Sequence, residues 1–245
     1  MTSGTLYGIG VGPGDPELIT IRGLRLLQST RTVFVPVAEA SASVEGVSVA
    51  ETIACGLLLP TQRIERLVFP MRAPLDGREA AWTAHCDRIA AALADGEDAS
   101  VLVEGDASTY STFAHLAETM HRTHPEVPTV AVPGVSSFAA AAAAIDRALV
   151  DGRERLVLLP GPHERSELDA ALQTFEALVL MKVSADLDTV IDAIEASGRA
   201  ASATFVERCG WPEQRIVRDI GSLRGERIDY FSLILVRGAR AGSRG

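Results

Sequence analysis

The sequence predicts an α/β protein made of two α/β domains with a cleft between them. Short apolar runs typical of strands alternate with helical patterns along the 245 residues, and such alternation is typical of parallel α/β layers. The alternation pauses in the turn-rich segment 123–128 and restarts after Pro133-Gly134. We therefore place the domains at residues 1–131 and 135–245. The apolar content of 47% is sufficient to build a core in each domain.

Apolar runs mark the predicted strands, and the segments between most of them carry the helical period. The strands are expected at residues 5–11, 32–37, 100–103, 129–132, 156–159, 177–181, 203–206 and 231–236. The helices are expected at residues 18–28, 77–95, 112–122, 136–145, 164–174 and 187–197. Thr20 is expected to cap the first helix locally, and Trp82, Ile89 and Leu93 lie on roughly one face of the second.

Composition and charge exclude several classes of partner. A net charge of −9 argues against nucleic acid or an anionic membrane as the main partner. Aromatic residues make up only 5% of the chain, so no platform for stacking bases is indicated. The longest alanine-rich run, residues 138–145, is too short to span a bilayer. The first residues also lack the basic and apolar regions of a signal peptide.

The three cysteines, Cys55, Cys86 and Cys209, are far apart in the sequence and form no Cys-x-x-Cys pair. They indicate neither a zinc ribbon nor a disulfide framework, and a reducing cytoplasm fits this usage. His121 and His124 could share a helical face, but Pro125 follows them and no third ligand is near. We therefore expect no metal site.

The first motif is the loop after the first predicted strand, where residues 6–16 read Leu-Tyr-Gly-Ile-Gly-Val-Gly-Pro-Gly-Asp-Pro. Glycine at alternate positions lets a ligand approach the backbone closely. The loop matches neither the dinucleotide fingerprint nor the phosphate-binding P-loop, and Asp15 at its mouth would repel phosphate. The loop therefore predicts a small ligand without a polyphosphate, and an acidic mouth is compatible with a cationic one. The alternative is a tight strand-to-helix connection with no ligand.

Two further motifs follow predicted strands. In the second, Glu104-Gly105-Asp106 follows a buried run, and Asp106 or Ser108 could cap the next helix. In the third, Pro133-Gly-Val-Ser-Ser137 follows residues 129–132, and Ser136 or Ser137 could cap a helix of small residues. Because ligands gather at the carboxyl ends of parallel strands, the second motif predicts backbone binding of a polar ligand, and capping is its alternative. Gly-x-Ser-x-Gly is absent, so no nucleophilic serine is indicated.

In this order and at this spacing, the three motifs resemble those of the tetrapyrrole (corrin/porphyrin) methylase family. The resemblance covers nearly the whole chain. Further similar features are the segment Val35-Pro-Val-Ala-Glu39, the segment Tyr110-Ser-Thr, and the strand Asp229-Tyr-Phe-Ser-Leu-Ile-Leu-Val-Arg237. One departure is Ala107, since the family often has Gly-Asp-Pro where this chain has Gly-Asp-Ala. Alanine frees φ and restores a backbone N–H, so we expect a less rigid loop that still binds the cofactor.

The resemblance implies a fold, a cofactor and a reaction. It implies two α/β domains with the site between them, S-adenosylmethionine (SAM) as methyl donor, and S-adenosylhomocysteine as product. It further implies methylation of C20 of precorrin-2, metal-free or as its cobalt complex, in cobalamin biosynthesis. The chemistry expected is proximity catalysis, with the methyl group and the accepting carbon held within ~3–3.5 Å and in line. A homodimer is also implied.

The same resemblance implies roles for individual residues. Val11, Pro13 and Gly14 would shape the cleft mouth, with Asp15 and Glu39 as further candidates facing the substrate. The residues implied in binding SAM are Val11, Pro13, Glu104, Gly105, Asp106, Thr109, Tyr110, Ser136, Ser137, Met181, Lys182, Cys209, Phe231 and Ser232. Met181 and Lys182 would lie against the adenine region.

Some alternatives remain at this point. A cluster of arginines, Arg63, Arg66, Arg72 and Arg78, could bind substrate carboxylates bidentately, or it could be a solvated surface. The chain could methylate another ring carbon as a different member of the family. It could also be a non-catalytic protein that binds SAM or a tetrapyrrole, although the three intact loops argue against lost activity.

Overall fold

The structure, a computed structural model, describes residues 3–38, 48–70 and 75–237. The chain divides into two compact units, the first ending at Ser136 and the second beginning at Ser137. Each unit contains a five-stranded sheet. The strands are β1 (Leu6–Gly10), β2 (Thr32–Ala38), β3 (Arg63–Phe69), β4 (Ala99–Val103), β5 (Thr129–Val132), β6 (Leu156–Leu159), β7 (Ala177–Met181), β8 (Ala203–Glu207), β9 (Arg215–Val217) and β10 (Ser232–Arg237).

The helices lie mainly between strands, as the alternating pattern predicts. They are α1 (Ile21–Ser29), α2 (Val49–Ala54), α3 (Leu75–Leu93), α4 (Thr112–Thr123), α5 (Ser137–Ala144), α6 (Arg165–Thr174) and α7 (Leu187–Ala196). The expected face of α3 is confirmed, because Ile89 and Leu93 are fully buried and Trp82 packs against the same core cluster. Within the three described ranges, no helix combines the length and the apolar character needed to cross a membrane.

The first sheet has the strand order β3-β2-β4-β1-β5, and every neighbouring pair is parallel. The central strands β1 and β4 are almost wholly buried, as expected for a sheet covered on both faces. Because all five strands run in the same direction, their carboxyl ends share one edge. β1 lies between β4 and β5, so the loops that follow these three strands are neighbours.

The second sheet has the order β6-β7-β10-β8-β9 and corrects the prediction of parallel layers. Only β6 and β7 are parallel, whereas β10 runs antiparallel to both β7 and β8, and β9 runs antiparallel to β8. A parallel neighbour requires a crossover of a dozen or more residues. The turn between Glu207 and Arg215 is too short for one, so β9 runs antiparallel to β8.

Several element boundaries also differ from the sequence prediction. The first helix was expected at Leu18, but Pro16–Leu18 forms a separate 3-10 turn and α1 begins at Ile21. The reason is that Thr20 caps α1, as predicted, by accepting a hydrogen bond from Gly23 N at 3.0 Å. The prediction missed α2, β3 and β9 altogether. β3 is an edge strand with several charged residues, so its sequence lacks the apolar run of a central strand.

Candidate functional site

The first two motifs meet at the carboxyl edge of the first sheet. Gly12 and Gly105 form an isolated antiparallel bridge, in which Gly12 N donates to Gly105 O at 3.1 Å and Gly105 N donates to Gly12 O at 2.8 Å. Both glycines have positive φ, +83° and +69°, a conformation that other residues adopt only with strain. The glycines therefore allow the two loops to pair directly beyond the ends of β1 and β4.

The third motif packs against the same pair of loops. A Cβ on Gly134 would overlap the carbonyl oxygen of Gly105 and would lie 2.7 Å from Gly10 O. A Cβ on Gly10 would lie 2.6 Å from Gly105 O and 2.9 Å from the Gly134 Cα. The backbones of the three loops thus touch at Gly10, Gly105 and Gly134, where no side chain fits. This close approach explains why each of the three motifs contains glycine at its strand end.

The carboxylate of Asp106 joins the second motif to the third. Its Oδ1 accepts hydrogen bonds from the backbone N–H groups of Ser108 (2.9 Å) and Thr109 (3.1 Å) and from both hydroxyls. Its Oδ2 accepts from Gly134 N at 3.0 Å. Burial raises the pKa of Asp106, but the hydrogen bonds from Ser108, Gly134 and Thr109 outweigh it and lower the pKa overall. Asp106 is therefore held as an anion that organises the loop.

The helix after the second motif is not capped as predicted. Neither Asp106 nor Ser108 caps α4; its N-cap is Ser111, whose side chain accepts from Phe113 N at 3.1 Å. Ala107, where the family often has proline, is buried in the core of the first unit. Tyr110 has a φ of +50° and is about half exposed.

The first loop is ordered by its own polar contacts. Asp15 accepts a hydrogen bond from Glu17 N at 2.9 Å and so caps the 3-10 turn. Thr20, the cap of α1, also donates its hydroxyl to Pro133 O at 3.3 Å. Val11, Pro13 and Gly14 are buried.

The structure gathers the predicted residues of the first unit along one edge of its sheet. That group comprises Val11, Pro13, Gly14, Asp15, Glu104, Gly105, Asp106, Thr109, Tyr110 and Ser136.

The predicted residues of the second unit also converge. Lys182 follows β7, and its backbone N–H donates to Ser232 O at 2.8 Å. Arg208 follows β8, and its N–H donates to Phe231 O at 2.8 Å. Because β10 begins between β7 and β8, the residues Met181, Lys182, Cys209, Phe231 and Ser232 lie along one edge of the second sheet. Ser137 is the first residue of α5 in the same unit.

Two side chains at this second edge bear on ligand chemistry. Ser232 is buried, and its hydroxyl oxygen has no hydrogen-bond partner within the structure. A buried hydroxyl left without a partner is costly, so a ligand that supplies one would fit there. Burial raises the pKa of the Cys209 thiol to about 11. Cys209 is therefore a protonated thiol and a weak nucleophile.

Other candidates from the sequence lie elsewhere or outside the described residues. Glu39 and Arg72 fall outside the described ranges, as does the side chain of Arg78. Arg63 and Arg66 lie on β3 and pair with Glu65 at 2.8 Å and Glu51 at 2.7 Å. These two arginines therefore balance charge along the edge strand.

The histidines make local polar contacts. His121 lies 2.8 Å from the Thr129 hydroxyl, and His124 lies 2.8 Å from Asp87 Oδ1. His85 is buried, with Nε2 2.9 Å from Val68 O. Among the residues described, no group of three His, Cys, Asp or Glu side chains is arranged to hold a metal ion.

Sequence reasoning missed the loop after β6. His163 is buried there, and its Nδ1 lies 2.9 Å from Asp186 Oδ2. A Cβ on Gly161 would lie 2.8 Å from Met181 O, so this loop packs against the end of β7. The signal was the turn sequence Pro160-Gly-Pro directly after an apolar run.

A comparison of the sequence with known families finds a match. The sequence model of the tetrapyrrole (corrin/porphyrin) methylases matches residues 5–223, which include all three motifs and most of the second unit. This chain belongs to the tetrapyrrole methylase family. The family resemblance seen in the motifs is thereby confirmed.

Curated members of the methylase family are similar over most of the chain. Cobalamin biosynthesis protein CobIJ of Mycobacterium tuberculosis (strain H37Rv) is 34% identical over 245 residues, covering 97% of this chain and 46% of that protein. The chain thus spans about half the length of that relative. Precorrin-2 C(20)-methyltransferase of a Sinorhizobium species is 33% identical, and cobalt-precorrin-2 C(20)-methyltransferase of Salmonella typhimurium is 30% identical. In both cases 96% of each chain is covered.

Solved structures of tetrapyrrole methylases have the same fold. A cobalt precorrin-4 methyltransferase superposes with a TM-score of 0.72 at 23% identity, covering 95% of this chain and 94% of the other. Uroporphyrin-III C-methyl transferase from Thermus thermophilus, solved with S-adenosylhomocysteine, has a TM-score of 0.65 at 20% identity. Here 96% and 97% of the two chains are covered. These similarities confirm the predicted α/β class.

Proposed function

We propose that this chain is a SAM-dependent methyltransferase that methylates C20 of precorrin-2, metal-free or as the cobalt complex, in cobalamin biosynthesis. The observation that carries the proposal is the junction of the three motif loops at the carboxyl edge of the first sheet. It is supported by the two full-length relatives whose names specify C(20) of precorrin-2 or cobalt-precorrin-2.

The residues present fit a ligand with the polarity of SAM. Gly12 and Gly105 leave backbone without side chains at the edge where ligands of parallel sheets bind. In the second unit, the buried Ser232 hydroxyl lacks a partner that a ligand would provide. SAM would supply an activated methyl group on a sulfonium. That residues of both units bind the same cofactor stays a prediction.

The contribution of the chain would be binding and orientation. The Gly12–Gly105 bridge and the Asp106–Gly134 hydrogen bond hold the first-unit loops in one arrangement before ligand binds. Such preorganisation reduces the entropy lost when two reactants are aligned. Cys209 supplies no nucleophile, because its thiol is protonated at neutral pH. Direct methyl transfer without a covalent enzyme intermediate fits this site.

The decisive test is a methyl-transfer assay with SAM and enzymatically generated precorrin-2, with and without cobalt. We expect one added methyl by mass spectrometry, located at C20 by NMR. The preferred metal state would identify the substrate form. Methylation at another carbon would contradict the assignment to C20. S-adenosylhomocysteine binding without transfer would point to another tetrapyrrole as substrate. Absence of S-adenosylhomocysteine binding in calorimetry would overturn it.

The family resemblance further supports a homodimer working in the cytoplasm, which we propose with the same function. Light scattering coupled to size-exclusion chromatography would give about twice the chain mass of 25.9 kDa for a dimer. A mass equal to one chain at assay concentration would contradict the dimer without affecting the catalytic proposal.

A further inference from the structure

The chain contains a single lysine. Its 23 basic residues are all arginines except Lys182. Lysine and arginine differ chemically, because the ammonium of lysine is a compact charge on a flexible stem and the guanidinium of arginine is a planar fork. At this one position the chain therefore carries a compact ammonium, whereas its other Lys/Arg positions carry a planar guanidinium. Lys182 lies directly after β7, at the same edge of the second sheet as Cys209 and Ser232.

Lys182 has an unfavourable backbone conformation. Its φ and ψ are +56° and +38°, a left-handed conformation that glycine adopts freely and lysine does not. Of the four described non-glycine residues with positive φ, Tyr110, Lys182 and Arg208 all follow strands at the two edges described above. Backbone strain of this kind clusters at ligand sites, where the surrounding structure holds it in place. Lys182 is therefore one of the positions at which the surrounding structure holds the backbone in a strained conformation.

The neighbouring Arg208 is neutralised by a carboxylate, whereas Lys182 pairs with none among the described residues. Arg208 pairs with Asp229 Oδ2 at 2.6 Å, and its guanidinium lies 5.8 Å from the centre of the Trp211 ring. The Lys182 ammonium lies 5.4 Å from the centre of the Tyr230 ring. Within the part of the chain that the structure describes, Lys182 forms no ion pair with a carboxylate.

The Tyr230 ring holds the ammonium without neutralising it. A cation over an aromatic face is attracted by the ring electrons, but its full charge remains available to an anion on its other side. Tyr230 is about half exposed and packs edge-on against Phe231, with ring centres 5.3 Å apart. The acidic side chains nearby are already engaged. Asp229 pairs with Arg208, and Glu207 accepts a hydrogen bond from Asp229 N.

We propose that Lys182, positioned by its left-handed backbone and the Tyr230 ring, binds a carboxylate of a reactant. The inference rests on the proposed function, because both reactants carry carboxylates: one in the amino-acid part of SAM, and several on the ring of precorrin-2. The chemistry is the same for either source, namely a charge-assisted hydrogen bond from an ammonium to a carboxylate. Lys182 is thus a specificity-determining residue for an acidic ligand group.

The single lysine makes the test direct. Lysine labelled with ¹³C and ¹⁵N gives one side-chain spin system in the whole protein, which Lys182→Gln would remove. We expect this signal to shift when a carboxylate ligand binds. S-adenosylhomocysteine has the amino-acid carboxylate and 5′-methylthioadenosine lacks it. A shift with the first ligand alone identifies the cofactor carboxylate, and a shift only with precorrin-2 identifies the ring.

Affinities of Lys182→Gln and Lys182→Arg complete the test. We expect Lys182→Gln to weaken binding of the ligand identified by NMR roughly tenfold or more, and to weaken binding of 5′-methylthioadenosine less. Lys182→Arg should recover part of the loss. The inference is overturned if no ligand shifts the signal, or if S-adenosylhomocysteine and 5′-methylthioadenosine shift it equally. The proposed function is judged separately by methyl transfer in the wild-type protein.

Discussion

Asp106 Oδ2 accepts a hydrogen bond from the backbone N–H of Gly134 across 28 positions of sequence, at 3.0 Å. This bond joins the loop after β4 to the loop after β5. The other oxygen of the same carboxylate is occupied by Ser108 and Thr109. The family resemblance implies that Asp106 binds cofactor, and that role stays a prediction. Its contacts with Gly134, Ser108 and Thr109 also make it a positioning residue for the loops.

Replacing Asp106 by alanine should affect both stability and cofactor binding. The substitution removes the acceptor of five hydrogen bonds, so we expect a loss of about 2 kcal/mol in the free energy of unfolding. We also expect at least a tenfold weaker affinity for S-adenosylhomocysteine, measured by calorimetry. Asp98→Ala is a matched control, because Asp98 accepts from Thr5 N at the opposite end of β1. The control should lose about 1 kcal/mol and keep its affinity; a loss of affinity in both variants would contradict the positioning role.

Stability should depend on pH through the same carboxylate. The pKa of Asp106 in the folded protein lies below its ordinary value of 3.8. The stabilisation that ionised Asp106 gives the folded protein is therefore complete above pH 3.8. It is lost as the pH falls toward the pKa of Asp106 in the folded protein. We expect the difference in unfolding free energy between wild type and Asp106→Asn to be constant from pH 7 to 5 and to shrink below about pH 4. A difference that stays constant or grows down to pH 2 would be incompatible with an ionised Asp106.

Gly134→Ala should disrupt the junction of the three loops. The new methyl group would meet the backbone of Gly105 and Gly10, which cannot move aside as a flexible side chain could. We expect a loss of 1–3 kcal/mol in unfolding free energy, roughly the cost of overpacking, and loss of methyl-transfer activity. Gly56→Ala is the control, because nothing lies within 4 Å of its new Cβ. Full activity in Gly134→Ala would show that the close approach of the loops is dispensable.

Lys182→Gly should separate stability from binding. Glycine relieves the left-handed strain, about 1 kcal/mol, so we expect no decrease in melting temperature, measured by calorimetry. The same variant should bind its carboxylate ligand more weakly. Asp146→Gly is the matched control, because Asp146 also has positive φ (+53°) but is exposed and follows α5. That control should retain ligand affinity, and weaker binding in it would point to a general effect of glycine.

Only one cysteine should react rapidly with a thiol reagent in the native protein. Cys55 is exposed, whereas Cys86 and Cys209 are buried. Burial raises the pKa of each buried thiol to about 11; at Cys86 Asp87 adds to this effect and Arg122 opposes it. At pH 8 we therefore expect one fast thiol per chain and three after denaturation, measured by absorbance of the released reagent. A second fast thiol in the native protein would contradict the burial of Cys86 and Cys209.

Local sequence was sufficient to predict most helices and central strands. Leu6–Gly10 and Ala99–Val103 are apolar runs ending in glycine or acidic turns, and Thr20 has a local capping role that spacing alone reveals. β3 escaped prediction because an edge strand carries charges on its open side. The cap of α4 was placed too early, because Asp106 uses its oxygens to bind Gly134 and the turn residues, which leaves Ser111 as the cap.

The α/β class, the family and the three glycine motifs could be predicted before folding was considered, because they depend on residue type and spacing along the chain. Which loops meet could be seen only in the folded protein. β1 lies between β4 and β5, and β10 enters antiparallel between β7 and β8. Strand order is set by pairing between residues that are distant in sequence. A local residue pattern carries no information about which distant strands pair. For the same reason, the partners of Asp106 emerged only from the folded chain, as did the lack of an ion pair at Lys182 among the described residues.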